Sequence, residues 1–119
     1  MWNEYLGLWE PTDDIQKHIE RTAAKCQGKS LVVTEFGLCE PHFSGGDQKR
    51  CEVQRERMRL YPQVRNLKGY VWFSLNDYRT LMGEEGSGKM KRRVHASTDL
   101  YGNEKPSYLL FKKLNCEKR

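Results

Sequence analysis

Two short apolar runs, "SLVVTEFG" at 30–37 and "GYVWFSL" at 69–75, constrain this chain more than any other feature. Each is too short for a helix, is rich in β-branched or aromatic residues and abuts glycine, so each reads as a strand buried on both faces of a parallel sheet. Parallel strands need a crossover between them, and the intervening residues carry a helical period. "EPTDDIQKHIERTAAKCQG" predicts a helix with Thr12 as its N-cap, Asp13 and Asp14 in the first turn and Gly28 as its stop. On it Ile15, His18, Ile19, Thr22, Ala23 and Cys26 form one apolar stripe. "DQKRCEVQRERMRLY" predicts a second helix that Pro62 ends or restarts, and "KPSYLLFKKL" a last one with Pro106 near its first turn. The stretch from Asn76 to about Gly102 reads as a long loop.

The order is therefore strand end, helix, strand, helix, strand, loop, helix, which means right-handed βαβ units, a parallel sheet and an α/β fold. At 119 residues the chain is one domain, about half of the roughly 250 residues of a closed (β/α)8 barrel. In such folds a ligand sits beyond the carboxyl ends of the strands. Those ends carry Asn3 and Tyr5, then Glu35, then Trp72, Asn76 and Asp77.

Glu35 is the sharpest of these. Four strand residues, "LVVT", deliver a carboxylate to the strand end, and "FG" turns the backbone away behind it. A carboxylate in apolar surroundings is costly unless it is paired or has a task, so Glu35 is either a structural ion-pair or capping group or a catalytic one.

Other chemistry is weaker. With 21 Lys+Arg against 16 Asp+Glu the net charge is +5, and acids and bases alternate, so nucleic acid is not the expected partner. The basic run from Lys89 to Arg93 reads as a solvated loop, with docking to an anionic partner as the rival function. "GEEGSGKM" fits G-x-x-x-x-G-K, but Met90 stands where a phosphate loop needs Ser or Thr. Cys26, Cys39, Cys51 and Cys116 include no C-x-x-C pair and read as unpaired thiols; Cys39 and His42 lack well-spaced partners for a zinc site. No apolar run approaches the about 18 residues of a membrane span, and no signal-peptide pattern precedes Trp2. The expectation is a soluble chain with no membrane partner, its compartment (cytoplasmic, periplasmic or secreted) left open.

Taken together, several segments resemble one family in order. "KSLVVTEFG" resembles the nucleophile strand of glycoside hydrolase family 2, the β-galactosidase and β-glucuronidase family. "NEYLGLW" resembles its sixth-strand segment, "GYVWFSLNDYRT" its eighth strand, and "STDLYGNEKPSYLLFKKL" the closing stretch of its catalytic domain. The resemblance implies strands six to eight of a (β/α)8 barrel, a retaining β-glycosidase acting on terminal β-linked sugars, and no cofactor. It implies Glu35 as nucleophile, with Asn3, Tyr5, Trp72, Asn76 and Asp77 toward the sugar and Trp72 as a flat face under its ring. "WFSLNDY" is one residue longer between Trp and Asp than the family pattern, which gives Asp77 a second reading as an ion pair with Arg79.

Glu4 also follows an Asn, as the family's general acid does. Only 31 residues separate it from Glu35, room for one helix and one strand, whereas the family's acid lies three units upstream of the nucleophile. Alternation along an extended segment also turns Glu4 away from the side shared by Asn3 and Tyr5. The expectation is a part-barrel that bears the nucleophile without the acid, inactive alone, and dependent on the remaining barrel or on self-association.

Overall fold

The structure, a computed structural model, describes residues 1–6, 14–38, 46–80, 91–93 and 96–117. Three parallel strands, β1 (Trp2–Asn3), β2 (Leu31–Phe36) and β3 (Leu67–Trp72), form one sheet in chain order. Helix α1 (Ile15–Ala24) crosses from β1 to β2, and α2 (Gly46–Leu60) with a 3-10 turn at Tyr61–Gln63 crosses from β2 to β3. These are the βαβ units expected from the period switches, and Pro62 sits in the turn that ends α2.

The cap of α1 is Asp14 rather than Thr12, which lies outside the described residues. The Asp14 carboxylate accepts the Lys17 N–H at 2.9 Å, and that hydrogen bond holds the carboxyl below its ordinary range. The helix closes at Ala24, before Gly28; Gln27 and Gly28 then reverse the chain with φ of 51° and 79°. Asn66 ties this corner down, donating to Ala23 O at 2.8 Å and Lys29 O at 3.2 Å. Ile19 and Ala23 enter the core, with Ile15 and Cys26 packed beside it, but His18 is exposed, at the edge of the stripe where the helix turns to solvent.

The strands are not buried on both faces. Leu31, Val33 and Phe36 of β2 join Ile19, Ala23, Met58 and Leu60 in one core, whereas Val32 is 36% and Val71 52% exposed. The alternation of side chains puts the helices on one face and leaves the other uncovered. In a closed barrel that second face is the interior, which explains why the sequence makes both faces apolar.

The expected long loop after Asn76 contains an antiparallel pair, β4 (Tyr78–Thr80) with β5 (Lys91–Arg93). Lys91, Arg92 and Arg93 of the basic run are thus ladder residues, opposite Thr80, Arg79 and Tyr78. Lys89 and the glycine-rich stretch before it lie outside the described residues. Helix α3 (Pro106–Cys116) starts at its proline as expected, and its cap comes from another element. Asp47 of α2 accepts the Ser107 N–H at 3.0 Å and the Ser107 hydroxyl at 2.8 Å.

Candidate active site

The carboxyl ends of β1 and β2 meet at Glu35. In the ladder Asn3 lies opposite Glu35, and the Glu4 N–H donates to the Glu35 carbonyl at 2.8 Å. The Tyr5 hydroxyl donates to Glu35 Oε2 at 3.0 Å. Thr34 Oγ1 stands 2.8 Å from Asn3 Oδ1, fastening that side chain to β2. Glu35 itself is half-buried, so its carboxylate is held by a phenol yet open to a ligand. Three of the expected site residues, Asn3, Tyr5 and Glu35, are therefore brought together.

Behind Glu35 the backbone passes into the aromatic core. Phe36 is buried and meets Trp72, Tyr61 and Tyr70 edge-on, at ring centroids of 5.0, 5.3 and 5.7 Å. Gly37 runs against the backbone of Phe73, whose N–H donates to the Phe36 carbonyl at 2.8 Å. The glycine after the strand is thus required by close approach.

Trp72 and Asp77 have partners of their own, apart from the Asn3, Tyr5 and Glu35 group. Trp72 is 8% exposed, belongs to the core and meets Phe36 edge-on, and it also lines a cavity with Tyr70, Ser74, Leu75, Tyr108 and Phe111. Asp77 is 5% exposed, and its Oδ1 accepts from Lys105 Nζ at 2.8 Å and from the Ala96 N–H at 3.1 Å. Its ion-pair partner is Lys105, at the start of α3, and not its near neighbour Arg79. Asn76 is exposed and bridges Thr98 through its backbone; among the described residues no hydrogen bond joins Asn76 or Asp77 to Glu35.

Glu4 is 1% exposed. Its Oε1 accepts the Leu6 N–H at 2.7 Å, and its Oε2 accepts Arg57 Nε at 2.7 Å and the Tyr61 hydroxyl. With both oxygens taken by internal donors it cannot reach a substrate, as its spacing from Glu35 had suggested. Burial, then the neighbouring Glu4 charge and its hydrogen bond, push the Tyr61 phenol far above its ordinary value, so it remains a donor. Sequence reasoning missed this cluster, although Arg50, Gln54, Arg57 and Tyr61 recur at helical spacing and mark the stripe of α2 that turns inward.

Cys26, Cys51 and Cys116 are free thiols, and burial raises the Cys51 thiol. Cys39 and His42 lie outside the described residues. Among the described residues no group of three His, Cys, Asp or Glu side chains could hold a metal ion, and no helix is long and apolar enough to cross a membrane.

No protein-family model and no curated protein matches this sequence. Solved structures do match it. A GH2 β-galacturonidase from Eisenbergiella tayi, bound to galacturonate, superposes with a TM-score of 0.72 at 15% identity over 92% of this chain and 22% of its own. A β-glucuronidase from Faecalibacterium prausnitzii gives 0.63 at 14% identity over 95% and 21%. Xylanase 10B from Thermotoga petrophila, in complex with xylobiose, gives 0.65 at 19% identity over 89% and 32%. The chain thus spans about a fifth to a third of the structures it matches. What these likenesses show is the fold: an α/β arrangement that is part of a (β/α)8 barrel.

Proposed function

We propose that this chain carries the nucleophile of a retaining β-glycosidase, with Glu35 attacking the anomeric carbon of a terminal β-linked sugar such as a galactoside or glucuronide. The observation that carries the reading is the Tyr5–Glu35 hydrogen bond at the carboxyl ends of adjacent parallel strands, where barrels place their chemistry. The resemblance of "KSLVVTEFG" and "NEYLGLW" to glycoside hydrolase family 2 supports it, as does the likeness of the fold to three glycosidases.

In the first step a Glu35 oxygen bonds to C1 while the bond from C1 to the leaving oxygen breaks, and that oxygen takes both electrons. The phenol on Oε2 leaves Oε1 as the attacking atom, and Asn3, fastened by Thr34, is placed to orient the sugar. A proton for the leaving oxygen must come from an acid about 5 to 5.5 Å away. Glu4 is too buried to supply it, so the acid comes from the rest of a barrel. The chain alone then turns over natural glycosides slowly or not at all.

The nucleophile can be tested without the acid. Dinitrophenyl 2-deoxy-2-fluoro-β-glycosides lose their leaving group unprotonated and trap the glycosyl-enzyme. Incubation with the galactosyl and glucuronyl reagents should add one sugar mass to the chain, mapped to Glu35 by peptide sequencing and absent in Glu35→Gln. Labelling that persists in Glu35→Gln, or that maps elsewhere, rejects the assignment.

A further inference from the structure

Strand β1 has only two residues in its ladder, too few to fix the segment after them, yet Tyr5 reaches Glu35 from just beyond its end. We propose that Glu4, Arg57 and Tyr61 form a positioning clamp through which α2 sets Tyr5 against Glu35. The inference rests on the nucleophile role of Glu35 and assigns residues that neither the motif nor the fold provides.

The geometry runs through alternate residues. Arg57 of α2 grips both neighbours of Tyr5: its Nε donates to Glu4 Oε2 at 2.7 Å, and another guanidinium nitrogen donates to the Leu6 carbonyl. Tyr61, one helical turn further on, donates to the same Glu4 oxygen, and Glu56 holds the remaining side of the guanidinium. Glu4 also bonds the strand backbone at both ends, its N–H to Glu35 O and its Oε1 to the Leu6 N–H. Residues 4 and 6 are thereby fixed inward, and Tyr5 between them is directed outward to Oε2 of Glu35.

Stability does not account for this arrangement. Arg57 and Glu4 are buried, and a buried ion pair is often matched or surpassed in stability by apolar residues of similar size. What the cluster provides that apolar residues cannot is direction: four donor-acceptor contacts that fix one short segment in one register, with Glu56 steadying the guanidinium.

The test replaces the whole clamp with apolar side chains, Glu4→Leu/Arg57→Met/Tyr61→Phe, in the full chain labelled with 13C at tyrosine Cζ. Tyr5→Phe identifies the Tyr5 resonance, and Glu35→Leu gives its position when the bond to Glu35 is lost. The expected result is a triple variant that melts no lower than the parent, with the Tyr5 resonance moved to its Glu35→Leu position. Fluoroglycoside labelling should slow about a hundredfold, the effect of misplacing a catalytic group by about 1 Å. A Tyr5 resonance left at the parent position overturns the proposal, whatever the melting temperature.

If the triple variant fails to fold, Tyr61→Phe alone, which leaves the ion pair intact, should move the resonance part of the way, and no movement overturns the clamp. If the parent chain is never labelled, the glycosidase reading fails while the Tyr5 resonance still decides the clamp.

Discussion

Adding one methyl group at Gly37 should be far more damaging than adding one at Gly69, although both glycines adjoin strands of the same sheet. A Cβ built on Gly37 would lie 2.4 Å from the Phe73 carbonyl oxygen, where ordinary contact begins at 3.4 Å. The neighbour must therefore retreat by about 1 Å, and it is backbone, not the tip of a mobile side chain. The same segment holds the Phe73 N–H to Phe36 O hydrogen bond of 2.8 Å, so retreat weakens the join between β2 and β3. Overpacking of this kind costs about 1–3 kcal/mol. At about 4 °C per kcal/mol for a domain of this size, Gly37→Ala should melt about 4–12 °C below the parent. A Cβ at Gly69 meets only Val32 Cγ1 at 3.9 Å, on the uncovered face. Gly69→Ala should gain about 0.4–1 kcal/mol by restricting the unfolded chain, and so melt about 2–4 °C higher. Circular dichroism melts of the two variants decide the matter. Equal melting temperatures would refute the close approach behind Glu35.

Two further outcomes rest on the electrostatics. Because the folded-state pKa of Tyr61 is raised, its contribution is fully present below the ordinary phenol value of 10.0; above that the unfolded chain sheds the proton first. Stability should then fall by about 1.4 kcal/mol per pH unit, and urea titrations from pH 9 to about 11 should lose that component in Tyr61→Phe; an unchanged slope would refute the burial of the phenol. Asp77→Asn keeps an acceptor for Ala96 but leaves Lys105 without its counter-charge, at a cost of about 1–3 kcal/mol in urea unfolding. Labelling of Glu35 in the folded variant should be unchanged if the ion pair is the whole role of Asp77, and a slower reaction at unchanged stability would place Asp77 at the sugar site.

The fold was legible because its period is: α1, α2 and α3 follow helical spacing, and β2 and β3 follow their short apolar runs and glycines. The same runs misled about burial. Val32 and Val71 are apolar because a barrel has an interior, and this chain folds only one wall of it, so residues written for a core stand exposed. The β4–β5 pair went unseen because each strand has three residues, too short for an alternation to declare itself. The meeting of Glu35 with Asn3 of β1 and with Tyr5 just beyond it could be read from strand ends alone. The partners of Trp72 and Asp77 could not be read that way, because whether a strand-end side chain meets solvent or protein depends on elements distant in sequence, here Phe36 and Lys105.

The packing of α2 was not legible in its charge-rich sequence. Arg50, Gln54 and Arg57 are among the most buried side chains. An apolar stripe would bury the helix with less desolvation, so polarity here has another use. Arg50 donates to Asp47, which also accepts from Ser107 of α3, while Arg57 donates to Glu56 and to Glu4 and the Leu6 carbonyl just beyond β1. Asp47, held by Arg50, thus links α2 to α3, and Arg57 links α2 to the segment after β1. Hydrophobic contact alone would permit α2 to slide or rotate against its neighbours by fractions of a turn; directed bonds at 47, 50 and 57 do not. A wall of a barrel with one face uncovered has fewer packing constraints than a closed one, and these polar contacts supply the register that Tyr5 needs at Glu35.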